Sequence, residues 1–153
     1  MTNNQTRESF KGGRPLLGLI GPEDATIPIP RKKRILVVDD EPGVTRLLKL
    51  NLEQTNEYEV RAQIGSSGAI AAAEGFQPDL ILLDVLMPGM DGGELAALLL
   101  ENPKLKSVPI VFLTALATKT DVHRGAGRIG GLPFLAKPVN VDDVLRCLKQ
   151  YLG

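Results

Sequence analysis

The sequence predicts an α/β protein with a doubly wound, five-stranded parallel sheet and helices on both faces. From Arg34 onward, short aliphatic runs of strand length alternate with amphipathic segments, the pattern of successive β-α units. Three of the runs are nearly continuous in apolar residues, as strands covered on both faces are. A length of 153 residues with 43% hydrophobic residues supplies one core and excludes a multi-domain enzyme.

Residues 1–33 precede that pattern. They hold four prolines (Pro15, Pro22, Pro28, Pro30) and four glycines (Gly12, Gly13, Gly18, Gly21) with no sustained period, so burial there cannot repay ordering entropy. A disordered or extended basic arm is expected, ending in the stiff Ile27-Pro28-Ile29-Pro30 spacer and the Arg31-Lys32-Lys33-Arg34 cluster. Two readings of it stand: a solvated linker, or a docking arm for an acidic partner, a membrane surface or the domain's own acidic face. The folded domain is expected over 34–153.

Its first strand is Ile35 to Asp39, followed by a helix near Gly43 to Gln54 whose inward face is assigned to Leu47, Leu48, Leu50 and Leu52. Tyr58 to Gln63 forms the second strand, and an alanine-rich helix near Ser67 to Gly75 follows. Leu80 to Asp84 is the third strand, with a helix from Gly92 to Glu101. The fourth strand, Ile110 to Thr114, leads into a helix near Thr118 to Gly127. Glycines weaken that helix, each costing about 1 kcal/mol against alanine. Phe134 to Ala136 is the fifth strand, and Val141 to Leu152 the last helix, with Val144, Leu145, Leu148 and Leu152 turned inward. Right-handed crossovers place these helices on both sides of the sheet.

Charge and cysteine content narrow the function. Eighteen basic residues balance eighteen acids, so the chain lacks the basic excess of a protein devoted to nucleic acid. The balance is uneven, because seven basic residues face only three acids up to Arg34. The single cysteine, Cys147, makes no intramolecular disulfide and is assigned to core packing. The apolar run Leu16 to Ile20 is too short for a signal-peptide core, and no stretch approaches 18 apolar residues. A cytoplasmic protein without a membrane span is expected.

Ligands of a doubly wound sheet gather outside the carboxyl ends of its strands. Here strand one ends in Asp39-Asp40-Glu41, strand three in Asp84 and strand four in Thr114, and strand five is followed by Lys137-Pro138. Converging carboxylates repel by about 4 kcal/mol per pair at 4 Å and an effective dielectric of 20, so the fold needs a compensating cation. Hard oxygens suit Mg²⁺, and Lys137 adds a second positive charge. Asp84 then is a carboxylate nucleophile poised for a phosphoryl group, whose oxygens Mg²⁺, Lys137 and the Thr114 hydroxyl can share.

Four stretches in order resemble the receiver domain of two-component response regulators: Ile35 to Pro42, Asp84 to Gly92, Pro109 to Ala115, and Phe134 to Pro138. They lie within Arg34 to Gly153, essentially the whole predicted domain. The resemblance implies a flavodoxin-like fold with strand order 2-1-3-4-5, like that of a stand-alone chemotaxis regulator. It also implies phosphorylation of Asp84 in a phosphorelay, by a sensor histidine kinase or a histidine phosphotransfer protein. Asp40, Asp84 and the backbone carbonyl of Leu86 would ligate Mg²⁺ directly, with Asp39 helping through water. Thr114 and Phe134 match the family's switch pair: as the hydroxyl moves toward the phosphoryl group, the aromatic ring fills the space it leaves. The downstream partner is an unidentified protein, and a homodimer is left open. The chain stops after its last helix, so no DNA-binding or enzymatic output domain is expected within it.

Gly125-Ala126-Gly127-Arg128-Ile129-Gly130 spells a dinucleotide-loop pattern, but it does not follow a strand or open a helix and no acid lies about 20 residues on. His123 is expected as an exposed helix residue. Leu86 and Leu116, two residues after Asp84 and Thr114, are apolar where similar receivers approach the attacking water, which predicts a long-lived phosphorylated state. Three rival functions have their own marks. A phosphorylation-independent scaffold would bind no Mg²⁺. A phosphatase would need an acid where Leu86 stands and a cap that is absent. A DNA binder would rest on Arg31 to Arg34 without a reading helix.

Overall fold

The computed structural model describes residues 30–115 and 128–153. Its strands are β1 (Lys33–Asp39), β2 (Tyr58–Ile64), β3 (Leu80–Asp84), β4 (Ile110–Thr114), β5 (Arg128–Ile129) and β6 (Leu132–Ala136). The helices among the described residues are α1 (Pro42–Glu53), α2 (Ala69–Phe76), α3 (Gly92–Glu101) and α4 (Val141–Leu152). The expected arm, the expected helix near Thr118 to Gly127, His123 and Leu116 lie outside the described residues.

The sheet runs β2-β1-β3-β4-β6-β5. Its five long strands are parallel, so the expected 2-1-3-4-5 order holds with β6 as the fifth of them. Beyond the five parallel strands expected, the described residues add one short strand, β5. β5 pairs antiparallel with β6 through Ile129-Gly130-Gly131-Leu132, and both central glycines have positive φ (56° and 87°), as a two-residue hairpin turn requires.

Strand alternation builds two apolar layers. Ile35, Val37, Leu80, Leu82, Val111 and Leu113 face α1 and α4, where Leu48, Leu52, Val144, Cys147 and Leu148 meet them. Leu36, Val38, Ile81, Leu83, Ile110 and Phe112 face α2 and α3, against Ala69, Ala73, Leu95 and Leu99. Each fully buried aliphatic side chain contributes about 1.5–3 kcal/mol, so the three central strands are the rigid part of the scaffold. Their carboxyl ends inherit that rigidity.

The inward face assigned to α1 needs correction. Leu48 and Leu52 are buried, but Leu47 is 44% and Leu50 58% exposed. At about 100° per residue, Thr45, Leu48 and Leu52 share one arc, while Leu50 falls nearly opposite. Pro42, with its preset φ, begins α1. Asp91 and Glu94 close a reciprocal capping box at the start of α3, and the Asn140 side chain accepts from the Asp143 N–H to start α4. No described helix is long and apolar enough to cross a membrane.

Candidate functional site

The carboxyl-end rim of β1 and β3 carries three acids whose oxygens come within 4.8 Å of one another: Asp39, Asp40 and Asp84. Each is placed by its strand. Asp39 and Asp84 continue the faces of Val37 and Leu82, and both are buried, at 0% and 3% exposure. Backbone amides hold their carboxylates, since Glu41 N–H donates to Asp39 Oδ1 at 2.9 Å and Leu86 N–H to Asp84 Oδ1 at 3.3 Å. The chain leaving β3 is held by Val85 N–H to the Leu113 carbonyl (3.1 Å) and by Gly92 N–H to the Val85 carbonyl (2.8 Å).

Lys137 enters from the end of β6. Its backbone N–H donates to the Thr114 carbonyl at 2.8 Å, and the Lys137–Pro138 peptide is cis. Its ammonium lies 2.8 Å from Asp39 Oδ2, 3.0 Å from Glu41 Oε1 and 3.4 Å from Asp84 Oδ1. Burial alone would lower the Lys137 pKa, but the contacts with Asp39 and Glu41 and the charges of Asp39 and Asp84 outweigh it and hold the group protonated. The Asp84 carboxyl is pushed up to about 6, first by burial and then by the charge of Asp39 and a hydrogen bond with Asp40. Lys137 and the Leu86 amide oppose that rise.

One cation against three clustered acids leaves negative charge uncompensated. Asp39 Oδ2 is buried and, although close to the ammonium, has no well-aligned hydrogen-bond donor. That orphaned oxygen and the hard, all-oxygen donor set fit a small divalent cation such as Mg²⁺. Asp39, Asp40 and Asp84 offer it side-chain ligands.

The structure brings Asp39, Asp40, Asp84 and Lys137 together as the sequence predicts. Thr114 is buried at the end of β4, 1% exposed, with its carbonyl tied to Lys137. Phe134 is half-buried against the α2 and α3 layer. The register pairs Phe112 with Phe134 and Thr114 with Ala136, so Thr114 and Phe134 are diagonal neighbours on one face of adjacent strands. The Leu86 side chain is 55% exposed beside the acids.

Two participants escaped the sequence reading. Glu41 was visible at the end of strand one, but its contact with a lysine 96 residues away had no local signal. Gly92 closed the Asp84 to Gly92 stretch and opened the expected helix, with no role assigned to it. A Cβ there would sit 2.2 Å from the Asp84 carbonyl oxygen and 2.8 Å from Val85 Cα, so only glycine lets α3 pack against the Asp84 backbone.

Rim acids, an intruding lysine and a 2-1-3-4 parallel core define a receiver-type α/β protein. Residues 35–149 match the response regulator receiver domain, and the chain belongs to that family. It is 42% identical over 112 residues to the response regulator PleD of Caulobacter vibrioides, covering 73% of this chain and 24% of PleD. It is 31% identical over 120 residues to the protein PilH of Pseudomonas aeruginosa, covering 78% of this chain and 98% of PilH. The chain thus spans about a quarter of PleD and nearly all of PilH. Among solved structures, the receiver domain of the sensor histidine kinase PA1611 from Pseudomonas aeruginosa, with a magnesium ion in its active-site cleft, superposes with a TM-score of 0.67. The two are 27% identical over 80% of this chain and 99% of that one.

Proposed function

We propose that the chain is a phosphoacceptor switch of two-component signalling, taking a phosphoryl group from a phosphohistidine onto Asp84. The observation that carries this reading is a buried carboxylate, Asp84, with an ammonium 3.4 Å away and two more carboxylates converging on it. In the transfer, an Asp84 oxygen attacks phosphorus, a P–O bond forms and the P–N bond breaks. The electrons of that bond leave with the imidazole, which takes up a proton to end as the neutral ring. Mg²⁺ bound by Asp39, Asp40, Asp84 and the Leu86 carbonyl would neutralise charge on the phosphoryl oxygens.

The chain's own residues supply the rest. Lys137 offers its ammonium to the transferred group, and Asp39 keeps that ammonium in place. The Thr114 hydroxyl turns toward the new acyl phosphate, and Phe134, its diagonal neighbour on the same sheet face, follows into the vacated space. The chain is consumed and restored as phosphoacceptor and is not a turnover enzyme; it works in the cytoplasm with a histidine kinase or histidine phosphotransfer protein. A groove of about 630 Å³ beside Lys137, lined by Val44, Leu47, Ala115, Pro138 and Val139, gives such a partner apolar surface next to the charge.

Mapping the modified residue tests the assignment. The chain is treated with Mg²⁺ and a small acyl phosphate, then with borohydride, which reduces an aspartyl phosphate to the alcohol. Reduction at Asp84 alone is expected. Reduction elsewhere, or none alongside undetectable Mg²⁺ binding, would replace this reading with a phosphorylation-independent receiver-fold scaffold.

A further inference from the structure

Lys137 Nζ has three N–H donors and three carboxylates around it: Asp39, Glu41 and Asp84. Two of these are buried and held by backbone amides. Glu41 differs. Its side chain is 61% exposed, yet at 3.0 Å its oxygen lies nearer to Nζ than that of Asp84 at 3.4 Å. Glu41 occupies the N-cap of α1, where a side chain ordinarily accepts from the helix's first amides, and it makes no such bond. Its carboxylate turns to Lys137 instead.

We infer that Glu41 is a positioning residue that parks Lys137 in the unphosphorylated chain and is exchanged for a phosphoryl oxygen when Asp84 is modified. This rests on the phosphoacceptor reading of Asp84. Of the three acids, Glu41 accepts the aligned hydrogen bond from the ammonium, whereas Asp39 Oδ2 lies 2.8 Å away without one and Asp84 at 3.4 Å, so an incoming phosphoryl oxygen gains an aligned donor once a carboxylate lets go. Asp39 would be left buried and charged by doing so, whereas water replaces Lys137 at an exposed glutamate at little cost. Glu41 is therefore the partner that yields, and while it holds on it draws Nζ away from Asp84.

Rates of phosphorylation at saturating Mg²⁺ test this, followed by intact mass for the native chain and Glu41→Gln. Two donors are compared, a doubly charged acyl phosphate and singly charged phosphoramidate. Glu41→Gln should react about 1.5- to 5-fold faster, the range an exposed ion pair commands, and by the same factor with both donors. In a Lys137→Met background the same substitution should change nothing. An unchanged or slower rate overturns the inference, as does a gain seen only with the more highly charged donor, which is simple repulsion of an anion. A gain that persists without Lys137 also overturns it; if Lys137→Met reacts too slowly to follow, the donor comparison decides. Failure of the native chain to take any phosphoryl group would instead bring down the phosphoacceptor reading itself.

Discussion

Asp84→Asn should make the metal-free protein more stable at neutral pH, although it removes the proposed phosphoacceptor. Asp84 titrates near 6 in the fold against 3.8 for an ordinary aspartate. A carboxyl with a raised folded pKa holds its proton more tightly in the native state than in the unfolded chain. Its cost to folding is absent below pH 3.8, grows as pH rises through the interval to about 6, and is constant above. At about 1.4 kcal/mol per pH unit, the full cost is up to about 3 kcal/mol. Asparagine keeps the shape and an oxygen for the Leu86 amide, so the substitution relieves the charge without opening a cavity. The assay is urea unfolding followed by far-ultraviolet circular dichroism in EDTA, at pH 8 and pH 4. With a slope of about 2 kcal/mol per molar urea, the midpoint at pH 8 should rise by on the order of 1 M. The difference should shrink to well under about 0.5 M at pH 4, where the unfolded aspartate is still partly ionised. Saturating Mg²⁺ should erode it at pH 8, because a cation at one hundred times its Kd stabilises the native chain by about 2.7 kcal/mol. A variant no more stable than the native chain at pH 8 in EDTA, or a gain at pH 4 as large as that at pH 8, would refute the argument.

Three further outcomes follow from the same site. Lys137→Met leaves Asp39 buried without its cation and should destabilise the chain by about 3 kcal/mol or more in the same urea assay; a neutral effect would mean that the ion pair does not hold the site. Gly92→Ala drives a methyl into the Asp84 backbone and should cost roughly 1–3 kcal/mol while slowing phosphorylation. Gly43→Ala, whose Cβ meets nothing within 4 Å, is its control and should be neutral or slightly stabilising. Leu86, exposed beside the acids, offers no hydrogen bond to an attacking water, so Leu86→Asn should shorten the life of the phosphorylated state several-fold in a phosphate-release time course. Equal decay in the two proteins would show that this position does not control hydrolysis.

How far the fold could be read from the sequence depended on burial. Leu80 to Asp84 and Ile110 to Thr114 were placed to the residue, because strands covered on both faces are written as unbroken apolar runs bounded by polar ones. β6 starts two residues before the expected Phe134; Pro133 lacks the N–H of an ordinary ladder residue and pairs only with β5, itself two residues long. The Gly130-Gly131 pair carries a hairpin signal, but the sequence reading took Gly130 only as the end of a dinucleotide-loop pattern and gave Gly131 no role. On α1, four leucines close in sequence were assigned to one face when only Leu48 and Leu52 share it. The site acids and Lys137 were legible because strand ends in this fold converge whatever their separation in sequence. Glu41 and Gly92 were not, because one acts through a contact across 96 residues and the other through a clash that only a packed helix creates.

The most direct measurement of the central claim is intact mass after incubation with Mg²⁺ and a small acyl phosphate, comparing the native chain with Asp84→Asn and both with EDTA. One added phosphoryl group on the native chain, absent from Asp84→Asn and absent without Mg²⁺, is the result this account predicts. An adduct that forms equally on Asp84→Asn, or without Mg²⁺, would contradict it.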